Sequence, residues 1–548
     1  MSLRPHVVYL VPEETARVAR AAFPKGNVYM RMHDELGMFY EDLRFAPLFS
    51  TRGQPAEAPA RLALVLVMQF AENLTDRQAA DAVRSRIDWK FALGLDLTDP
   101  GFDYSVLSEF RSRLITGEAE DLLLDTMLDH FKARGLIKPR GRQRTDSTHV
   151  LAAIQGLNRL ELVGRTLQHA LNVLAQEVPD WLVAQISPDW FDRYSRQLDE
   201  YRLPKGEPER RTLAEVIGND GLHLLRRLDA TPGTDHLRTL PAVETLKQVW
   251  AQQYEAIDER VRWRNKDDLP PSAERIASPH DTEARYSTKR SVTWVGYKVH
   301  LSETCDDDQP HLITHVETTV ATDADIEALG PIHQALAERD RLPAEHLVDA
   351  AYGSAQVLVT SQTDYGIDVI CPVPPDTSWQ AQDEQAFVVT DFSIDWENQT
   401  VVCPNGRRSQ QWTPGRGPRG KPTIQVQFRH ADCRACPMRV HCTRSKLGAR
   451  ELTLHPEAEH VALQVARERQ QTDDFKRQYA RRSGVEGTMS QSAYALGMRR
   501  SRYIGLARTH LQHVLTAAAM NLTRVAAWMQ EVPHSKTRRS HFAALAPA

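Results

Sequence analysis

Over the first 135 residues, apolar positions recur at helical spacing. Glu13 to Ala22 reads as a short amphipathic helix closed by Pro24 and Gly26, and Pro59 to Glu72 as an apolar helix. Thr75-Asp76 then caps a second helix, Arg77 to Ile87, with Ala79, Ala80, Ala82 and Val83 on its inner face. Ser105 to Leu114 follows, with Val106, Leu107 and Phe110 in phase, and Leu122 to Phe131 closes the bundle. The pair around Thr75 has the look of a helix-turn-helix. A packing role and a DNA-reading role are equally open for it at this point.

The pattern changes at Arg142. Thr145, Thr148 and Val150 favour extended chain, and Gly135, Pro139 and Gly141 precede them, so a strand carrying Asp146 is expected. Thr293 to Leu301 alternates as a strand and His311 to Thr322 is a second. Asp325 to Glu338 reads as helix, Glu345 to Ala350 as a strand ending at Asp349, Ser354 to Tyr365 as helix and Ile367 to Val373 as strand. This order matches an α/β ribonuclease H-like core, built from 136–155, 286–375 and 455–530. In that fold the first strand and the strand after the first helix are neighbours, so Asp146 and Asp349 are expected side by side at one edge of the sheet. A helical, polar insertion (156–285) and a small β-rich, basic, cysteine-containing insertion (376–454) interrupt the core. Helix is expected again from Pro456 to about Arg482 and from Tyr503 to Gln530, and the tail, 531–548, has a disordered composition.

The chain has 548 residues, 41% hydrophobic and 26% charged, which suits a soluble protein of two to four domains. The longest apolar run, Leu62 to Met68, is too short to span a bilayer, and no signal-type segment opens the chain, so a cytosolic location is expected. The net charge of -4 does not by itself suggest nucleic acid, but the local distribution does. Residues 400–450 hold eleven Lys/Arg against Asp432, and 131–150 hold six against Asp146. Residues 475–510 hold eight against Glu486.

Each basic stretch contains chemically distinctive residues. Asp146, Asp349 and Glu486, two on strands and one on a late helix, are the hard ligands that two Mg²⁺ or Mn²⁺ ions need for phosphoryl chemistry. Taken singly, each of the three reads as a surface cap or a buried ion-pair partner, and for a lone aspartate that reading is favoured. Four of six cysteines, Cys403, Cys433, Cys436 and Cys442, cluster in the small insertion and suit tetrahedral Zn²⁺, with His441 as a substitute ligand. The competing reading is reduced thiols packed as small hydrophobes, which is the reading for Cys305 and Cys371. Trp396 and Trp412 read first as core of the insertion and second as a platform for an unpaired base. His149 and His300 read as hydrogen-bonding strand residues.

With these residues in place, the chain resembles the DDE-type transposases of bacterial insertion sequences, in the branch with a Tyr-x2-Arg-x3-Glu signature. That signature is Tyr479, Arg482 and Glu486 here. Asp146-Ser-Thr-His149 is similar to the first catalytic aspartate, and Asp349-Ala-Ala-Tyr-Gly-Ser354 to the second. Asp281-Thr-Glu-Ala-Arg285, Gly296-Tyr-Lys-Val-His300 and Thr322-Asp-Ala-Asp325 resemble the segments that lead into the core and its first helix. The resemblance covers nearly the whole chain. It implies cut-and-paste transposition: binding of terminal inverted repeats, joining of two element ends by a homodimer, and two-metal cleavage and strand transfer on double-stranded DNA in a bacterial, nucleoid-associated setting. It implies a DNA-end-binding role for 1–135 and backbone contacts for Tyr479 and Arg482. Spacings of seven and four residues before Glu486 place both on its helix face. The Lys that often follows the Glu by seven residues is Ala493 here, which leaves Arg499, Arg500 or Arg502 to meet the phosphate. The alternatives are a structure-specific nuclease of the same fold and an inactive, transposase-derived DNA-binding regulator.

Overall fold

The change of pattern at residue 142 begins strand β1 (Arg142–Leu151) in a computed structural model of the chain. The described residues are all but Met1, Val7, Gln155, Gln197, Arg290, Pro418, Arg419, Leu447, 533–544 and 546–548, so the tail expected to be disordered lies largely outside them. Contacts divide the chain into two units within β1. Met1–Lys138, Asp146–Ala324 and Glu486–Ala548 form the first, and Pro139–Thr145 with Asp325–Val485 the second.

In the first unit, the expected front helices are present as Glu13–Ala22, Pro59–Ala71, Asp76–Ser85, Ser105–Thr116 and Leu122–Ala133. Val28–Leu36 and Ile87–Ala92 are two further helices whose short apolar patterns do not stand out in the sequence. Thr75 and Gln78 make a reciprocal capping box at the start of Asp76–Ser85, worth about 1 kcal/mol. The helix Leu506–Trp528 buries Leu511, Val514, Leu515, Met520, Leu522 and Val525 in the same core as the apolar face of Pro59–Ala71. A helix apolar on most of its circumference belongs in the interior.

Strands β2 (Arg285–Lys289), β3 (Val292–Thr304) and β4 (Ile313–Val320) build the sheet of this unit, with β2 and β4 each antiparallel to β3 and β3 beside β1. Asn521 pins the C-terminal helix to β4: its side chain accepts from the Ile313 N–H and donates to the Ile313 carbonyl, both at 2.8 Å. Gly296 has φ +152°, and a Cβ there would stand 2.1 Å from the Val150 carbonyl oxygen. Only glycine lets β3 lie this close to β1. The insertion at 156–285, expected to be polar, has an apolar core of its own. Leu167, Ile217, Leu224, Val249 and Trp250 are buried among its helices.

In the second unit, the start of β1 pairs in parallel with β5 (Glu345–Leu347), in the register Arg142 to Glu345, Gln143 to His346 and Arg144 to Leu347. β5 pairs in parallel with β6 (Asp368–Ile370). Helices Asp325–Glu338 and Ala355–Tyr365 connect these strands, as the sequence order predicts, and bury Leu329, Ile332, Leu336, Tyr352 and Val369. The insertion at 376–454 has two short sheets around Phe392, Val401, Val426, Phe428, Leu452 and Leu454. Trp396 and Trp412 pack edge to face against this core, 5.5 Å apart at 87°, so both rings serve its packing.

The single helix expected from Pro456 to Arg482 is interrupted. Glu457–Gln470 ends before Thr472, whose hydroxyl accepts from the Phe475 N–H at 3.1 Å and starts a second helix, Asp473–Ala480. A 3-10 turn, Arg481–Ser483, follows. Among the described residues, no helix is long and apolar enough to cross a membrane.

Candidate active site

Asp349 stands two residues past the last paired residue of β5. Its Oδ1 accepts from the Ala351 N–H at 2.8 Å, which orients the carboxylate as in an Asx turn. The loop behind it is anchored by Tyr352, whose ring is fully buried, and Ser354 caps the next helix through the Val357 N–H. Arg482 approaches this carboxylate, Nη2 to Oδ2 3.8 Å, and only 13% of the Arg482 side chain is exposed. A guanidinium in so sheltered a place interacts more strongly with an anion than it would in water.

Arg482 lies in the 3-10 turn, so the three signature residues do not share one unbroken α-helix. Tyr479 ends Asp473–Ala480, Arg482 belongs to Arg481–Ser483, and Glu486 lies in the first turn of Gly484–Tyr494. Arg144 holds the turn in place by donating from Nη1 to the Arg481 carbonyl at 2.5 Å. A Cβ on Gly484 would stand 2.1 Å from that Nη1. The glycine in the signature stretch thus leaves room for a buried guanidinium. Tyr479 stacks on Phe475, with ring centroids 5.5 Å apart and planes within 6°.

A buried chain of polar side chains runs beneath the start of β1. Ser361 Oγ lies 3.3 Å from His333 Nδ1, His333 Nε2 lies 2.8 Å from His346 Nδ1, and His346 Nε2 lies 2.6 Å from Thr145 Oγ1. Burial pushes the His333 imidazole down to about 4. Burial, and then the neighbouring His333, push His346 well below the ordinary histidine value. Two neutral rings therefore tie β1 at Thr145, the residue before Asp146, to β5. Sequence inspection missed them because neither histidine sits in a motif; the only signal is their place within apolar segments.

In the first unit, Asp146 Oδ1 accepts from the Ser147 N–H at 2.8 Å. Glu486 is exposed, and two residues later Thr488 is buried. Thr488 Oγ1 donates to Glu303 Oε2 at 2.6 Å, and Arg524 donates to both, to Glu303 Oε2 at 2.8 Å and to Thr488 Oγ1 at 2.6 Å. This buried cluster fixes the rotation of the helix on which Glu486 stands.

The three downstream arginines have different surroundings. Arg499 Nε donates to Thr148 Oγ1 at 2.8 Å. Arg500 is exposed and lines a groove of about 820 Å³ with Tyr286, Trp294 and Asn158. Arg502 packs against the front bundle. Its guanidinium lies 4.7 Å from the Phe70 ring centroid and donates to the Leu74 carbonyl at 3.0 Å, and burial lowers its pKa. Arg502 therefore braces the front bundle while staying half-buried.

The four clustered cysteines line one small cavity in the insertion, and Cys305 and Cys371 are buried elsewhere. Burial pushes the Cys442 thiol up to about 11; Arg450 opposes this, while Cys403, Cys433 and Cys436 add to it. His441 does not line that cavity, and its ring packs edge to face with Phe387 at 6.4 Å. Among the described residues, no three His, Cys, Asp or Glu side chains are already set as an ion-holding group.

Comparison with known proteins gives two family matches. Residues 402–526, which include the cysteine cluster and Tyr479–Glu486, match a transposase DDE domain. Residues 17–113, in the front helical bundle, match a transposase domain, DUF772. No curated protein and no solved structure gives a significant match.

Proposed function

We propose that this insertion-sequence DDE transposase, a DNA-cleaving and DNA-transferring enzyme, binds the terminal inverted repeats of its own element and moves it by cut-and-paste chemistry at Asp146, Asp349 and Glu486. The observation that carries the reading is a register. Arg144 pairs with Leu347 on parallel strands, and each aspartate lies two residues further along its own chain. Strand ends in that relation are where a ribonuclease H-like core would hold its first two acids.

DDE transposase domains use divalent metal ions. The donors here are carboxylates, hard oxygen ligands that suit Mg²⁺ or Mn²⁺, and Asp349 is about one-third exposed and oriented by its own backbone. Two such ions, when bound, supply activation of the attacking oxygen and stabilisation of the leaving one. A Zn²⁺ ion held by cysteines would take no part, because a closed thiolate site has no open position.

The chain's own groups have separate roles. Asp146, Asp349 and Glu486 would hold the ions. Arg482 meets a non-bridging phosphate oxygen with paired hydrogen bonds, and Tyr479 packs against the adjoining backbone. Arg499 and Arg500 follow the strand further on. Water attacks the phosphorus at the element's end and the 3′ oxygen leaves as a hydroxyl. That hydroxyl then attacks a target phosphorus and the target's 3′ oxygen leaves. Two copies of the chain hold the two ends for a concerted insertion.

The deciding assay uses a labelled duplex bearing the element's end, with Mg²⁺, and compares the native chain with Asp349→Asn and Glu486→Gln. The native chain cuts and joins, and each variant binds the duplex but cuts at least roughly a hundredfold more slowly. Equal cutting by all three proteins removes this active site. Cutting without joining makes the enzyme a nuclease.

A further inference from the structure

We propose that Cys403, Cys433, Cys436 and Cys442 form a structural tetrathiolate site for Zn²⁺ that stabilises the small β-rich insertion. All four thiols line a single cavity of about 30 Å³, and none is in a disulfide. A space of that size has room for a single ion.

The local backbone suits thiolate ligands. Cys403-Pro-Asn-Gly406 is a tight turn: the Gly406 N–H donates to the Cys403 carbonyl at 2.8 Å, with Gly406 at φ +75°. The turn directs the Arg407 N–H at Cys403 Sγ, 3.4 Å away, and Asn405 Nδ2 lies 3.5 Å from Cys436 Sγ. Donors aimed at sulfur stabilise the thiolate over the thiol. Cys433 and Cys436 flank the end of the short helix His430–Arg434, with the Cys436 N–H on the Cys433 carbonyl at 3.3 Å. Cys442 ends the helix Arg439–Cys442.

Charge and packing favour the same occupant. Four thiolates around Zn²⁺ carry two net negative charges, and Arg407, Arg439 and Arg450 line the cavity, against one acid, Asp432. Among the described residues, the buried apolar core of the insertion is six side chains, which is little for a segment of this length. Soft sulfur donors select zinc over the magnesium of the catalytic centre. The thiols ring the cavity without being set at a common point, so coordination requires them to turn inward. Their places on turns and helix ends permit that rotation.

The test is metal content and spectroscopy of the full chain, purified reduced from zinc-supplied cells. The expected result is one tightly held Zn²⁺ per chain, retained in Asp349→Asn and lost in Cys403→Ala and Cys436→Ala. Replacement by Co²⁺ gives an intense thiolate-to-metal charge-transfer band and tetrahedral d–d bands. Cys436→His retains the metal with shifted d–d bands, which separates loss of a ligand from loss of the fold. A chain that carries no zinc and shows no charge-transfer band with Co²⁺ overturns the proposal. So does zinc that stays bound when Cys403 and Cys436 are both removed.

Discussion

Gly484 leaves the space that the Arg144 guanidinium occupies: a Cβ there would lie 2.1 Å from Nη1, the atom that holds the Arg481 carbonyl. Gly484→Ala has two opposed effects on stability. Alanine favours helix by about 1 kcal/mol, while overpacking costs about 1–3 kcal/mol. The far end of an arginine can move, so the net loss of stability is small, about 1 kcal/mol. The displaced Arg144 releases the turn carrying Arg482, so cleavage falls by more than the small loss of stability accounts for. Urea unfolding and strand-cleavage rates on the same preparation check this. Full activity in Gly484→Ala would show that the turn does not depend on Arg144.

The Glu303–Arg524–Thr488 cluster makes a second prediction. Glu303 is fully buried, and Arg524→Met removes the Arg524 guanidinium from its carboxylate. Removing one partner of such a pair costs about 3–5 kcal/mol. Replacing both, as Glu303→Met with Arg524→Met, recovers most of that loss. A denaturant series on the two variants reads out the difference, and equal destabilisation of both would argue against the pairing.

His333 and His346 predict acid sensitivity. The His333 value is lowered by burial from near 6.5 in the unfolded chain to about 4 in the fold, and His346 is lowered as well. The unfolded state therefore binds the extra protons first as pH drops. The stability these rings contribute is present above about pH 6.5 and is lost as pH falls toward 4, at about 1.4 kcal/mol per pH unit for each proton taken up. Urea midpoints measured across that range should fall, and His333→Leu should flatten the slope even though it is less stable at neutral pH. An unchanged slope would place the titrating groups elsewhere.

Arg500 and Arg502 should separate binding from folding. Arg500 is exposed in its groove, so Arg500→Ala lowers the salt slope of end binding by about 0.9, the value for one phosphate. Arg502→Ala removes a ring contact and a buried carbonyl bond, so it destabilises by about 1–2 kcal/mol with the slope unchanged. Binding isotherms at several salt concentrations and a melting curve for each variant give both readouts. A lower slope for Arg502→Ala would return it to the DNA surface.

Much of the candidate site is legible from local pattern. The turn signals at Gly135, Pro139 and Gly141 place β1, and alternation places β3. The capping residues Thr75 and Ser354 mark helix starts that the structure shows. These signals depend on period, backbone restriction and local hydrogen bonding, which a short stretch of chain carries by itself. The breaks after Gln470 and at Arg481–Ser483 are not legible, because helical periodicity continues through both.

The sequence alone therefore determined many of the helices and strands, where basic charge concentrates, and which acids and thiols are chemically distinctive. The tertiary structure decided their surroundings. It put Arg502 over Phe70 and Arg144 against Gly484, joined His333 and His346 to Thr145, and ringed one cavity with four cysteines. Those relationships link residues tens to hundreds of positions apart. They depend on packing and burial, which arise only when the chain folds back on itself and distant side chains share one enclosed volume.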